Sequence, residues 1–188
     1  MFALRAQCGQ GCPRSINMDR RIVIVGFMGC GKTTVAKALA RQLGGDSLDL
    51  DSVITEREGR SPAEIIPQDG ESSFRSIETS GLNDVLENSE ARVIALGGGA
   101  WTIEANRALI TAHDCLSVWL DASFELCWAR IMSNSNTIRP MAPDRENAEA
   151  LFQFRRASYE LAELRIVVNN KAPVETADEI AAFLLPTL

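Results

Sequence analysis

The stretch Gly26-Phe27-Met28-Gly29-Cys30-Gly31-Lys32-Thr33-Thr34 carries the full spacing G-x-x-x-x-G-K-[ST], and its flanks give that spacing meaning. Before it stands the apolar run 21–25, Arg-Ile-Val-Ile-Val. After it Val35, Leu39 and Leu43 recur at every fourth position until Gly44-Gly45 closes the pattern. A strand that enters a glycine-rich turn and leaves as a helix is the setting in which such a loop cradles phosphate. Glycines let successive backbone N–H groups point into one hollow, and the helix turns its positive end on it. Lys32 has the reach for β- and γ-phosphates, and the Thr33 hydroxyl is placed for Mg²⁺. Gly29, Cys30, Gly31, Lys32, Thr33 and Thr34 are the expected nucleotide-phosphate contacts.

Outward from this loop, strand-like apolar runs recur at 47–50, 92–96, 115–120 and 165–168, with helical patterns between them. That alternation predicts βαβ units and a mainly parallel sheet covered on both faces, an α/β fold. Ser61-Pro62-Ala63-Glu64 is a capping box with proline at the first helical position. The stretch 71–88 places Phe74, Ile77, Val85 and Leu86 on one helical face, with Gly81 a weak point. A further helix is expected over 145–163, and Pro173-Val174 opens the last one. Between them lies a polar, proline-marked stretch, Ser133-Asn134-Ser135-Asn136-Thr137-Ile138-Arg139-Pro140-Met141-Ala142-Pro143-Asp144. A loop of this length in a compact domain reads as an active-site lid, set at about 133–147.

Composition narrows the class. A chain of 188 residues, 46% hydrophobic and 23% charged, fits one globular domain. A net charge of −6 argues against nucleic acid or anionic membrane as bulk partners, without excluding a basic pocket for a small anion. The five scattered cysteines give no disulfide framework and fit a reducing cytoplasm. With His113 the sole histidine, a zinc site has no ligand set. No apolar run approaches the roughly 20 residues that cross a bilayer. Residues 1–17 lack periodicity and a signal-like core, and Met18-Asp19-Arg20-Arg21 has the look of a natural start. We read 1–17 as a disordered extension and 18–188 as one domain.

Three further clusters carry chemistry. Asp49-Leu50-Asp51 stands at the end of the second strand, where ligands gather in open parallel sheets. If the strand persists, both carboxylates face one side, and Mg²⁺ at Thr33 relieves their repulsion; Asp51 as a helix cap is the competing reading. Leu96-Gly97-Gly98-Gly99-Ala100 closes the third strand with a backbone open to close approach. Arg75 and Glu78 lie three apart on one helix, within pairing distance, and Arg156 stands a turn before Tyr159.

Taken together, these segments resemble shikimate kinase. They are the Gly26–Thr34 loop, Leu48-Asp49-Leu50-Asp51, Phe74-Arg75-Ser76-Ile77-Glu78, Gly97-Gly98-Gly99-Ala100, Thr137-Ile138-Arg139-Pro140 and Arg156-Ala157-Ser158-Tyr159, in the family's order over 21 to about 185. The resemblance implies a three-layer P-loop, nucleoside-monophosphate-kinase-like fold with a five-stranded parallel sheet in order 2-3-1-4-5. It implies transfer of the ATP γ-phosphoryl group to the 3-hydroxyl of shikimate, in aromatic amino-acid biosynthesis, by a cytoplasmic monomer. Carried over by position, Asp49 lies near Mg²⁺ through water. Asp51, Arg75, Gly97, Gly98, Gly99 and Arg156 meet shikimate, and Arg139 reaches the ATP phosphates from the lid. Lys32, Asp51 and Arg139 are the catalytic set. The segment 127–136 is a few residues longer than common members have, which leaves the role of Arg130 open. The loop 169–173 matches only loosely, with Lys171 the candidate for adenine, and Ser158 stands where proline is common. The alternative on the same fold is another small-metabolite kinase, gluconate-kinase-like, but its acceptor signature after the second strand is absent. A GTP switch is disfavoured because Asn170-Lys171-Ala172-Pro173 lacks the acidic residue that reads guanine.

Overall fold

The computed structural model describes residues 19–133, 144–169 and 171–184. The expected extension 1–17, most of the expected lid, and Arg139 with it, lie outside the described residues. Five strands form one parallel sheet in the order β2-β3-β1-β4-β5, as the resemblance implied. They are β1 (Ile22–Val25), β2 (Ser47–Asp49), β3 (Val93–Ala95), β4 (Leu116–Ala122) and β5 (Leu164–Val168). β1 sits at the centre, with Ile24 opposite Ala95 on one side and Val118 on the other. Every residue of β1, β3 and β4 is buried, the continuous apolar pattern of strands covered on both faces. β5, at the edge, alternates buried and exposed residues.

Helices cover both faces. α1 (Lys32–Gln42) packs on α8 (Pro173–Leu184), while α2 (Leu50–Glu58), α3 (Pro62–Asp69) and α4 (Glu71–Asn88) form a cluster beyond β2. α5 (Glu104–Ala112) follows a single 3₁₀ turn at Ala100–Thr102, and α6 (Phe124–Ser133) and α7 (Arg145–Tyr159) complete the set. The predicted capping box starts α3: the Glu64 carboxylate accepts from the Ser61 N–H at 2.8 Å. In α4 the buried face is Phe74, Glu78, Gly81, Leu82, Val85 and Leu86. Gly81, the expected weak point, lies on that face, where a Cβ would make ordinary contact with Ile54 at 3.4 Å.

Two boundaries differ from expectation, and one matters. The second strand ends at Asp49, and Leu50 already begins α2. Asp49 and Asp51 therefore do not alternate along a strand; Asp49 caps the helix by accepting from the Asp51 N–H at 3.1 Å, and Asp51 lies in the first turn. The helix expected to reach 163 stops at Tyr159, leaving room for β5 to start at Leu164. All the loops that carry candidate residues leave the carboxyl ends of the strands, so the topology gathers them at one edge of the sheet.

Candidate active site

A cavity of about 500 Å³ opens over this edge, lined by the phosphate loop from Met28 to Thr34, by Asp49 and Asp51, and by Gly98. Gly31 is the N-cap of α1 at φ 104°, a conformation that a side chain would strain. It offers no side-chain cap, and no acidic residue stands in the first turn, so the leading N–H groups of α1 are left for an anion. The Lys32 ammonium donates to the Gly26 and Phe27 carbonyls, each at 2.9 Å, which folds it over the loop. Cys30 contributes backbone only. Its side chain is buried, and burial pushes its thiol above the ordinary range, as it pushes Cys127 up to about 12. Arg130 on α6 lines the cavity and donates to the Cys30 carbonyl at 3.1 Å, propping the loop.

At the loop's far side the Thr33 hydroxyl donates to Asp49 Oδ2 at 2.5 Å. Hydroxyl and carboxylate oxygens at a phosphate loop are the hard donors Mg²⁺ prefers, so the residues present fit that ion. Lys171 and Pro173 also line the cavity, and Lys171 pairs with Glu179 at 2.6 Å.

Three glycines border the acceptor side, and at Gly97 and Gly99 a side chain would collide with its neighbours. A Cβ on Gly97 would lie 2.6 Å from Asp51 Oδ1 and 2.9 Å from Glu78 Oε1; one on Gly99 would lie 2.3 Å from an Arg75 nitrogen. One on Gly98 would stand 3.4 Å from Arg155 Nη1. The turn is thus a floor without side chains, against which Asp51, Glu78, Arg75 and Arg155 converge.

Arg75 donates to Glu78 at 2.7 Å and to Glu71 at 2.9 Å, the i+3 and i−4 partners on its helix. Burial opposes its charge, but the two glutamates outweigh burial and hold its pKa above the ordinary value. Glu78 is fully buried, and its Oε1 has no hydrogen-bond partner among the described residues. Burial pushes its carboxyl up, and the charge of Asp51 adds to that against the pull of Arg75.

Arg156 does not join this cluster. Its guanidinium donates to both oxygens of Asp121, at 3.0 and 3.3 Å, and lies over the Trp119 ring. Helix geometry explains the correction. The buried face of α7 runs Ala148, Phe152, Arg155, Tyr159, so Arg155 points in and its neighbour points aside. Arg155 is 4% exposed and forms no ion pair with a carboxylate of the described residues. Burial lowers its pKa, and the nearby Arg75 charge adds to that. A buried guanidinium beside a second cation is costly unless an anion arrives between them. Arg155 is the functional candidate that the motif comparison missed, and Glu78 was seen only as a partner for Arg75.

A model of the family described as "Shikimate kinase" matches residues 28–185. The chain belongs to the shikimate kinase family. It is an ATP-dependent kinase that phosphorylates an alcohol group. Among relatives named shikimate kinase, one from Parasynechococcus marenigrum is 39% identical over 172 residues, covering 90% of this chain and 87% of its own length. Another from Geobacter sulfurreducens is 39% identical over 168 residues, covering 88% and 91%. The solved shikimate kinase from Acinetobacter baumannii in complex with shikimate superposes with a TM-score of 0.80 at 33% identity, covering 88% of this chain and 92% of that one.

In this shikimate kinase family member the glycine floor yields a direct prediction. Gly99→Ala pushes a methyl into the Arg75 guanidinium, where that guanidinium is pinned by two glutamates. Steady-state kinetics should show a raised KM for the acceptor, by about tenfold for a displaced charge-assisted contact, with the ATP KM unchanged. Equal kinetics in the variant would mean that Arg75 has room to move.

Proposed function

We propose that this chain transfers the γ-phosphoryl group of ATP to the 3-hydroxyl of shikimate, giving shikimate 3-phosphate and ADP, with Arg75 and Arg155 holding the substrate carboxylate. The observation that carries this reading is the pair of guanidinium groups converging on a side-chain-free glycine turn, one of them buried with no ion pair among the described residues. A carboxylate accepts from both by charge-assisted hydrogen bonds. With that end fixed, the ring's hydroxyls face Asp51, whose carboxylate lies against Gly97.

The phosphate end works by positioning and charge. The N–H groups of residues 29–34 and the α1 dipole hold the polyphosphate, and Lys32 leaves its two carbonyls for the β- and γ-phosphates. Thr33 and Asp49 would hold Mg²⁺, the latter through water, and the ion supplies charge neutralisation at the phosphates when bound. The shikimate oxygen attacks the γ-phosphorus while the bond to the β–γ bridging oxygen breaks. The hydroxyl proton goes to Asp51 and the electron pair leaves with ADP. Arg139 reaches the phosphates from the lid, and Lys171 borders the adenine. The protein acts as a monomer in the cytoplasm, in chorismate and aromatic amino-acid biosynthesis; no described helix is long and apolar enough to cross a membrane.

A coupled assay of ADP release tests the reading with shikimate set against gluconate and other hydroxy acids, each with and without Mg²⁺. Release with shikimate and Mg²⁺ alone is expected. Turnover of gluconate in preference to shikimate would overturn the acceptor assignment in favour of a gluconate-kinase-like activity.

A further inference from the structure

The glycine turn must keep its shape with no side chains of its own, and its carbonyls show what holds it. Gly97 O accepts from the Ala100 N–H at 3.1 Å, and Gly99 O from the Thr102 hydroxyl at 2.7 Å. Ala100 O accepts from Asn106 Nδ2 at 2.9 Å and Trp101 O from Arg107 at 2.7 Å. These ties are local, made by the turn itself or by α5. Gly98 O differs: it accepts from the Tyr159 hydroxyl at 2.5 Å, across sixty-one positions of sequence. A second long tie runs parallel to it, from Trp101 Nε1 to the Ser158 carbonyl at 2.8 Å.

Tyr159 is well placed to transmit position. It is buried, and its ring stacks on Trp119 of the central sheet with centroids 6.1 Å apart at 26°. It stands one helical turn after Arg155 on the same buried face of α7. The Arg155 guanidinium lies against the Tyr159 hydroxyl as well as beside Gly98. The chemistry of the three groups is complementary. Arginine is all donor, a phenol both accepts and donates, and a carbonyl only accepts, so the sense of the chain is Arg155 to Tyr159 to Gly98.

We propose that Tyr159 is a positioning residue for the acceptor site, whose hydroxyl links the Arg155 guanidinium to the Gly98 carbonyl and so fixes the carboxylate clamp relative to the glycine floor. This rests on the acceptor reading given above. The hydrogen bond of the hydroxyl runs to the glycine turn and not to the phosphate loop, so its effect is expected to fall mainly on one substrate. Phenylalanine at this position keeps the ring and its stacking on Trp119 while removing the link alone.

Tyr159→Phe should raise the shikimate KM about tenfold, the loss that follows removal of a buried hydrogen bond, with the ATP KM close to wild type and Tm lowered by a few degrees for the lost bond itself. A merely structural tyrosine would lower Tm with both KM values unchanged, or weaken both substrates together. In an Arg155→Met background the same change should add little to KM, because the group being positioned is gone; full additivity would overturn the link. Tyr159 is the chain's single tyrosine, so uniform 3-fluorotyrosine labelling gives one fluorine NMR signal without any change of fold. That signal should move when shikimate binds and stay in place with ADP alone, and it serves if Tyr159→Phe does not fold. An unmoved signal on shikimate binding would overturn the proposal. Wild-type turnover is measured on the same preparations. A wild type active on shikimate with an equally active Tyr159→Phe rejects the positioning role alone, whereas a wild type inert to shikimate rejects both readings.

Discussion

Arg155→Met is expected to raise the shikimate KM by roughly 10²–10³-fold, the cost of removing one side of a buried charge pair, while leaving Tm unchanged or higher. The two halves of that outcome come from one fact. Arg155 is buried, with no carboxylate paired to it among the described residues, and burial disfavours its charged form. An arginine whose pKa is lowered by folding subtracts stability at every pH where it stays charged, which covers neutral pH. Methionine fills a similar volume without the charge, so the unliganded protein gives up the contact with the Tyr159 hydroxyl but is relieved of a buried cation, while the liganded one loses its anchor. Thermal unfolding with and without shikimate separates the terms: wild type should gain stability from the ligand, and Arg155→Met should gain far less. A large fall in Tm with unchanged KM would show that Arg155 holds the fold and not the substrate.

Arg156→Ala is the internal control. Arg156 remains 33% exposed, and its partner Asp121 keeps Arg165, which donates at 2.5 and 2.9 Å. Losing one half-exposed partner from such a triad costs under about 1 kcal/mol. Neighbouring arginines should therefore separate cleanly, one through KM and the other through a small shift in Tm. A raised shikimate KM in Arg156→Ala with normal kinetics in Arg155→Met would restore the assignment made from the motif.

That contrast shows where sequence was sufficient and where it was not. Strand, loop and first helix could be read directly because glycine spacing and apolar period agree locally, and the parallel sheet followed from alternation. The choice between Arg155 and Arg156 depends on helical phase, which a motif of consecutive letters does not carry. Ala148, Phe152 and Tyr159 do not make that choice, because 155 and 156 each stand three or four positions from both Phe152 and Tyr159; packing in the folded helix does. The end of β2 was lost for a different reason. Asp49 serves both as the last strand residue and as a helix cap, and a three-residue strand is too short for periodicity to mark its boundary. The burial of Glu78 was beyond local reading altogether. A glutamate on an amphipathic helix looks solvated until the glycine turn of another βα unit closes over it.

Asp51 should show the largest loss of turnover. In Asp51→Ala kcat should fall by roughly 10²–10⁴-fold, the range for a group that takes or orients a proton at the reacting atom. The structure sharpens what Asp51→Asn does. Asp51 is not the cap of α2, since Asp49 accepts its N–H, so neither substitution removes a cap. Its carboxylate lies against Gly97 beside the buried Glu78, where the two like charges raise the Glu78 pKa. Asparagine keeps one acceptor oxygen and relieves that repulsion. Phosphoryl transfer runs through a loose transition state in which proton removal comes late, so alignment of the attacking oxygen counts for more than basicity. We therefore expect kcat of Asp51→Asn between wild type and Asp51→Ala, with shikimate KM moved less than in Arg155→Met. Equal, deep losses in both Asp51 variants would assign it as an obligatory base. Near-wild-type turnover in Asp51→Ala would remove it from the reaction, leaving its carboxylate as packing against the glycine floor.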